Sequence, residues 1–212
     1  MCGRFACAKI PRIMTELFDV PPPEDFTPEM NIAPSMSVCA LRRAPDSSRP
    51  EFSLMRWGLL PPWTADLKIA NRLFNARAET VHEKPSFRDA FRRRRCLIPA
   101  DGFYEWQKTA AGKTPYYISM PASHMVFAGL WNERTDERGR PLRTCTIITT
   151  AANDAIRPLH DRMPVILPAT AWPIWMQPGV ETRQLQALLM PCPPDQLQLE
   201  QTSPPRTHGK EP

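Results

Sequence analysis

The chain has 212 residues, of which 42% are hydrophobic and 23% charged, and its formal net charge is +5. This length and balance fit a single globular domain with one sizeable core, and no apolar run is long enough to cross a bilayer. No signal-peptide pattern and no zinc-type cysteine spacing is present, so cytoplasmic placement, no cofactor and no metal are expected, while the positive charge favours an anionic partner such as nucleic acid.

In chain order, "IMTELFDV" (Ile13–Val20) predicts a short helix stopped by "PPPEDF". Ser37–Arg42 and Arg49–Leu60 read as strands joined by a hairpin loop at "APDSS", and Pro61 and Pro62 end the second. "KPSFRDAFRRRR" predicts a helix capped by Ser86, with Asp89 as capping partner and Arg92–Arg95 as a solvated face at its end. "RCLIPADGFYEWQ" reads as strand, turn and strand. "TPYYISM", "HMVFAGLWNE" and "RTCTIITTAA" are strands rich in β-branched and aromatic residues. "NDAIRPLH" reads as a turn, and "ATAWPIWM" and "ETRQLQALLM" as helices. The 26 prolines exceed the usual share of about 5% and argue against long helices. The prediction is one mixed α+β domain over residues 1–195, with a curved, barrel-like, mostly antiparallel sheet core and a few short helices. A polar, proline-rich tail, 196–212, is expected to be disordered.

Candidate chemistry begins at "MCGRFA". If Met1 is removed, Cys2 carries an α-amine and a thiol. An α-amine titrates at about 7.7–8.0, so part of it is unprotonated at neutral pH. The amine attacks an aldehyde to give an imine, and the thiol closes a five-membered thiazolidine on the same carbon. The same cysteine also suits a hydrolase, with the thiolate as nucleophile and the amine as base. The other five cysteines read as small buried hydrophobes. In "DGFYEWQK", Phe103 and Glu105 share one face of a strand and Tyr104 and Trp106 the other. A carboxylate among such bulk is a candidate for a raised pKa and acid–base work. His160, in "RPLHDRMPVIL", is the candidate proton shuttle. Asn75 and Arg77 project to the same side of an extended segment and suit a phosphate or sugar oxygen. Arg4, Arg56, Arg77 and Arg162 interleaved with Trp57, Trp63 and Trp106 give the mixture of cations and flat rings that single-stranded nucleic acid binding uses.

"MCGRFA", "MNIAP", "RWGLLPPW", "FNARAET", "CLIPADGFYEW" and "HDRMPVIL" occur here in the order of the SOS-response-associated peptidase (SRAP) family, which the chain resembles from Met1 to about Leu167. The resemblance implies a barrel-like α+β domain that crosslinks, through its N-terminal cysteine, to abasic sites in single-stranded DNA. It implies catalytic roles for Cys2, Asn75, Glu105 and His160, and DNA contacts for Arg4, Asn31, Pro34, Trp63, Arg77, Trp106, Thr150 and Arg162. The partners it implies are single-stranded DNA containing abasic sites and proteins of the replication fork; no membrane partner is expected, and the chain is expected to be a monomer. An N-terminal-nucleophile peptidase or amidase and a non-covalent single-strand or modified-base binder are the alternative readings. The segment after Met190 departs from the family's final-strand pattern.

Overall fold

The computed structural model describes residues 2–10, 12–43, 49–110 and 112–203. Its elements follow in order: β1 (Phe5–Cys7), α1 (Arg12–Phe18), β2 (Glu29–Ile32), β3 (Ser37–Arg43), β4 (Pro50–Trp57), α2 (Leu67–Ala70), β5 (Asn75–Arg77) and α3 (Arg88–Arg93). Then come β6 (Arg95–Ala100), β7 (Gly102–Thr109), β8 (Gly112–Ser119), β9 (Met125–Thr135), β10 (Pro141–Ala151), β11 (Arg162–Pro164), α4 (Trp172–Met176), α5 (Thr182–Ala187) and β12 (Gln198–Gln201). The expected hairpin loop at "APDSS" lies outside the described residues, although β3 and β4 on either side pair antiparallel from Ser37↔Arg56 to Arg43↔Pro50.

Five strands close on themselves. β4 pairs β3, β3 pairs β6, β6 pairs β9, β9 pairs β10, and β10 returns to β4 in a parallel pairing. Closure removes the open edges that a flat sheet would expose. β10 is long enough to serve twice. Its first half lies between β9 and β4, and its second half pairs β5 in parallel and β11 antiparallel. A second, five-stranded sheet has the order β12-β8-β7-β1-β2. The expected mixed α+β domain with a barrel-like sheet core is therefore the observed one.

Strand alternation sorts the apolar side chains into two cores. Val38, Ala40, Cys96, Ile98, Phe127 and Trp131 pack with Phe5, Phe103 and Ile118 from the second sheet and with Cys2, which precedes β1. Leu41, Leu97, Val126, Ala128 and Leu130 pack instead with Phe91, Trp172, Trp175 and Leu185 from the helices. With both faces covered, β6 is buried at every position, which is why it reads as a continuous run rather than an alternating one.

Three local expectations are corrected. Ser86 does not cap α3. The turn at Lys84 already receives the Arg88 N–H, so the helix starts at Arg88 with Phe87 as its unassisted N-cap, and Asp89 pairs with Arg93 and Arg94. Arg95 is not part of a solvated face. It is 5% exposed and donates to the carbonyls of Phe91, Arg92, Trp175 and Gln177, so one guanidinium satisfies the ends of α3 and α4. The tail does not begin at 196: Leu197 and Leu199 pack on the core, and Gln198–Gln201 pairs β8. Residues 204–212 lie outside the described residues.

β1 is held by an aromatic ladder. Phe5 meets Trp57 edge-on at 5.2 Å and Phe127 at 5.6 Å, Phe127 meets Phe103 at 6.3 Å, and Trp57 meets Phe74 at 5.8 Å. Trp57 is wholly buried, which makes it a core residue and not a base-stacking one. Phe5→Ala is expected to lower the unfolding free energy by about 3–5 kcal/mol, the usual range for deleting a buried aromatic. Urea denaturation of the two proteins measures this, and a change below about 1 kcal/mol would show that β1 is not anchored through Phe5.

Candidate active site

The ladder that anchors β1 also positions the segment before it. Arg4 O accepts from Tyr104 N–H at 2.9 Å, and Phe5 lies opposite Phe103. The chain therefore runs antiparallel to β7, and Cys2 comes to the neighbourhood of Glu105. Trp57 Nε1 donates to Phe74 O at 2.7 Å, which fixes the residue before Asn75. Asn75 Nδ2 in turn donates to Cys2 O at 2.8 Å. Sequence-distant elements thus converge on one buried thiol.

Glu105 shares its strand face with Phe103, as alternation predicts, and is 4% exposed. Burial pushes its carboxyl up to about 7, and the negative charge of Asp161 adds to the shift. The Cys2 thiol is pushed well above its ordinary value, first by burial and then by the charge of Glu105. At neutral pH the site therefore holds a protonated thiol beside a carboxyl poised to gain or lose a proton.

His160 ends a turn between β10 and β11. Asn153 builds that turn by accepting from Ile156 N–H and donating to Cys192 O, and the Ile156 carbonyl receives His160 N–H. Burial lowers the pKa of His160, against the opposing pull of Asp161. Its Nδ1 accepts from Arg162 N–H at 2.9 Å and lies 2.7 Å from Asp161 Oδ1. The neutral ring, with its proton on Nε2, is matched by the first contact and the imidazolium by the second. Each protonation state has a partner, which suits a proton shuttle.

The expected DNA contacts occupy varied settings. Arg77 is exposed on β5, opposite Thr149. Arg4 Nη1 donates to Asn31 Oδ1 at 2.8 Å, and Asn31 is buried. Pro34 is half-buried in the turn before Ser35, whose φ is 81° and whose N–H bonds Trp57 O. Trp63 is 61% exposed beyond Pro61 and Pro62. Trp106 is half-buried on the face of β7 opposite Glu105, and Thr150 is buried on β10 opposite Met163. Arg56 is taken up by Asn71, to which its Nη2 donates at 2.5 Å.

Glu79 is the residue that sequence reasoning missed. Its two carboxylate oxygens hold Arg162 at 2.5 and 2.9 Å, and Arg162 Nη2 also donates to Thr149 O. These bonds and the positive charges of Arg162 and Arg77 hold the Glu79 carboxyl below its ordinary value. This brace ties the segment after Asn75 to the start of β11, the strand that follows His160. The only signal in the sequence was the acidic residue inside "FNARAET".

A family model described as SOS response associated peptidase (SRAP) matches residues 1–205. The chain belongs to the SRAP family. Abasic site processing protein YoaM of Bacillus subtilis is 40% identical over 209 residues, covering 96% of this chain and 91% of its own length. A crystal structure of a Bacteroides thetaiotaomicron protein shares the fold at a TM-score of 0.84 and 24% identity, covering 95% of this chain and 92% of its own. A Bordetella bronchiseptica structure matches at 0.79 and 27% identity, over 95% of this chain and all of its own. In the SRAP chain described here, Cys2, Asn75, Glu105 and His160 all lie within the matched span.

The raised carboxyl makes a thermodynamic prediction. Glu105 titrates near 7 when folded and near 4.5 when unfolded. Between those values the folded state binds the extra proton, so this group's contribution to stability falls as pH rises and is fully lost above 7. Glu105→Gln is expected to gain stability relative to wild type as pH rises from 5 to 8, by up to about 3 kcal/mol. Thermal melts across that range check this; a pH-independent difference would place the Glu105 titration elsewhere.

Proposed function

We propose that this SRAP protein processes abasic sites by trapping the ring-opened deoxyribose aldehyde in single-stranded DNA as a covalent thiazolidine on Cys2. The reading starts from the removal of Met1, which puts an α-amine on the same residue as the buried thiol. Its support is the convergence of Cys2, Asn75, Glu105 and His160, together with relatives that are named abasic site processing proteins. The observation that carries it is geometric: Asn75 Nδ2 donates to Cys2 O at 2.8 Å, which holds the residue that would bear both amine and thiol, and the buried Glu105 lies near enough for its charge to reach that thiol. An amine and a thiol held together on one residue suit a reaction that the amine begins and the thiol ends.

In this reading His160 relays a proton: the ring oxygen gains one and the C1 hydroxyl gives one up as the closed ring opens to the aldehyde, so the histidine ends as it began. The amine adds to the aldehyde carbon to give a carbinolamine. Glu105, protonated near neutral pH, gives its proton to the departing hydroxyl, and water leaves with formation of the imine. The thiol sulfur then adds to the imine carbon, and the thiol proton ends on the nitrogen. One water is released and nothing is oxidised or reduced. Asn75 holds the Cys2 carbonyl so that amine and thiol address one carbon. Such positioning is worth up to about 7–11 kcal/mol, and acid–base help adds roughly 10²–10⁴-fold.

Incubation with single-stranded DNA containing one abasic site is expected to give a heat-stable band on a denaturing gel. Cys2→Ala is expected to lose that band and to leave a weaker band trapped by borohydride, because its amine still forms the imine. Intact-mass measurement is expected to find Met1 absent from active protein. No covalent band from wild type, or full activity with Met1 retained, would sink the proposal; peptide hydrolysis that needs Cys2 and no DNA would support the peptidase reading instead.

A further inference from the structure

The β7–β8 hairpin carries a charge arrangement that its own stability does not explain. Lys108 and Lys113 lie directly opposite each other across the ladder, two positions beyond the Trp106↔Pro115 pair. Like charges directly opposite destabilise a strand pair. Both side chains are exposed, and among the described residues neither has an ion-pair partner. Alternation puts Tyr104, Trp106 and Lys108 on one face of β7, and the register puts Tyr117, Pro115 and Lys113 beside them on β8. Tyr104 and Tyr117 rings meet at 5.0 Å on that face.

The charge near this face differs between its two ends. At the Tyr117 end the charges of Asp101 and Glu200 are felt. Among the described residues the charged groups at the hairpin tip are Lys108 and Lys113, and the positive charge of Lys108 reaches His160 in the candidate site. Lys108 stands about 7 Å beyond Trp106 along the strand. An anion running from the site past Trp106 is thus drawn toward the tip and repelled from the opposite end.

We propose that Lys108 and Lys113 hold the phosphodiester backbone of single-stranded DNA where it leaves the candidate site past Trp106. The proposal rests on the reading of the site as one for abasic single-stranded DNA. It adds a track that none of the family motifs contains. An unpaired cation pair at the tip is tolerable because the phosphates that it binds neutralise it, and its cost in the DNA-free hairpin is limited by solvent screening.

The test measures binding of undamaged oligothymidylate by fluorescence anisotropy as a function of salt. Each lysine that neutralises a phosphate contributes about 0.7 to the slope of log affinity against log salt for single strands. The double variant Lys108→Ala, Lys113→Ala is expected to lose about 1.4 from that slope. Lys108→Arg with Lys113→Arg is expected to keep it, which separates charge from hairpin geometry. A wild-type slope in the alanine variant overturns the track while leaving the crosslinking reading intact. A reduced slope in that variant, from a wild type that gives no covalent band, supports the track and removes the crosslinking reading. If wild type fails to bind oligothymidylate, the track falls, and the covalent-band experiment decides the crosslinking reading separately.

Discussion

The structure depends on burying the first strand of the chain in the middle of a sheet. β1 lies between β2 and β7, and Phe5 reaches from it into the aromatic ladder that links it to the closed barrel. A terminal segment is ordinarily the least ordered part of a domain unless something ties it down. Here the tie is a strand position paired on both sides and a wholly buried aromatic ring. Three residues before Phe5, the Cys2 thiol inherits that order and sits in the core. The same ladder reaches Phe74 and so fixes Asn75. The packing that stabilises the domain and the packing that assembles the site are one set of contacts.

That economy has a cost, which falls on the ionisable groups. Glu105 on β7 and Cys2 before β1 are both buried, and both are less acidic there than in water. A leucine at 105 would suit the core better than a carboxyl. A strongly shifted carboxyl in company with a histidine and an asparagine is what makes this site a candidate for proton transfer. Asp161 links the two proton carriers, because its charge raises the pKa of Glu105 and opposes the burial that lowers that of His160.

Much of this was legible in the sequence where local chemistry decides the outcome. The strands β6 to β10 are rich in β-branched and aromatic residues, and alternation alone assigned Glu105 to the face of Phe103. The convergence of Cys2, Asn75, Glu105 and His160 was legible only through the ordered motifs, since no spacing relates residues on four separate segments. What failed were positions decided by distant partners. Arg95 looked like one more member of a basic run until two helix ends, one of them 80 residues away, met at its guanidinium. Gln198–Gln201 looked like tail because its pairing edge is β8, far back in the chain. Glu79 carried no signal of its own because its partner Arg162 is 83 residues on.

The fate of the arginines shows why net charge is a poor guide to where DNA binds. Arg95 is spent on helix carbonyls, Arg42 is buried over the Trp131 ring beside Glu51, and Arg162 is clamped by Glu79 with its side chain only 13% exposed. These cations are stabilised by the fold and have few donors left to give. Counterion release requires charges that are exposed and uncommitted in the free protein. Arg77 meets that requirement beside the site, and Lys108 and Lys113 meet it at the hairpin tip. A positive surface is therefore better read as a sum over donors left unused than as a sum over basic residues. On that measure, the basic residues left for a polyanion among those considered are Arg77 on β5 and the two lysines at the end of the β7–β8 hairpin.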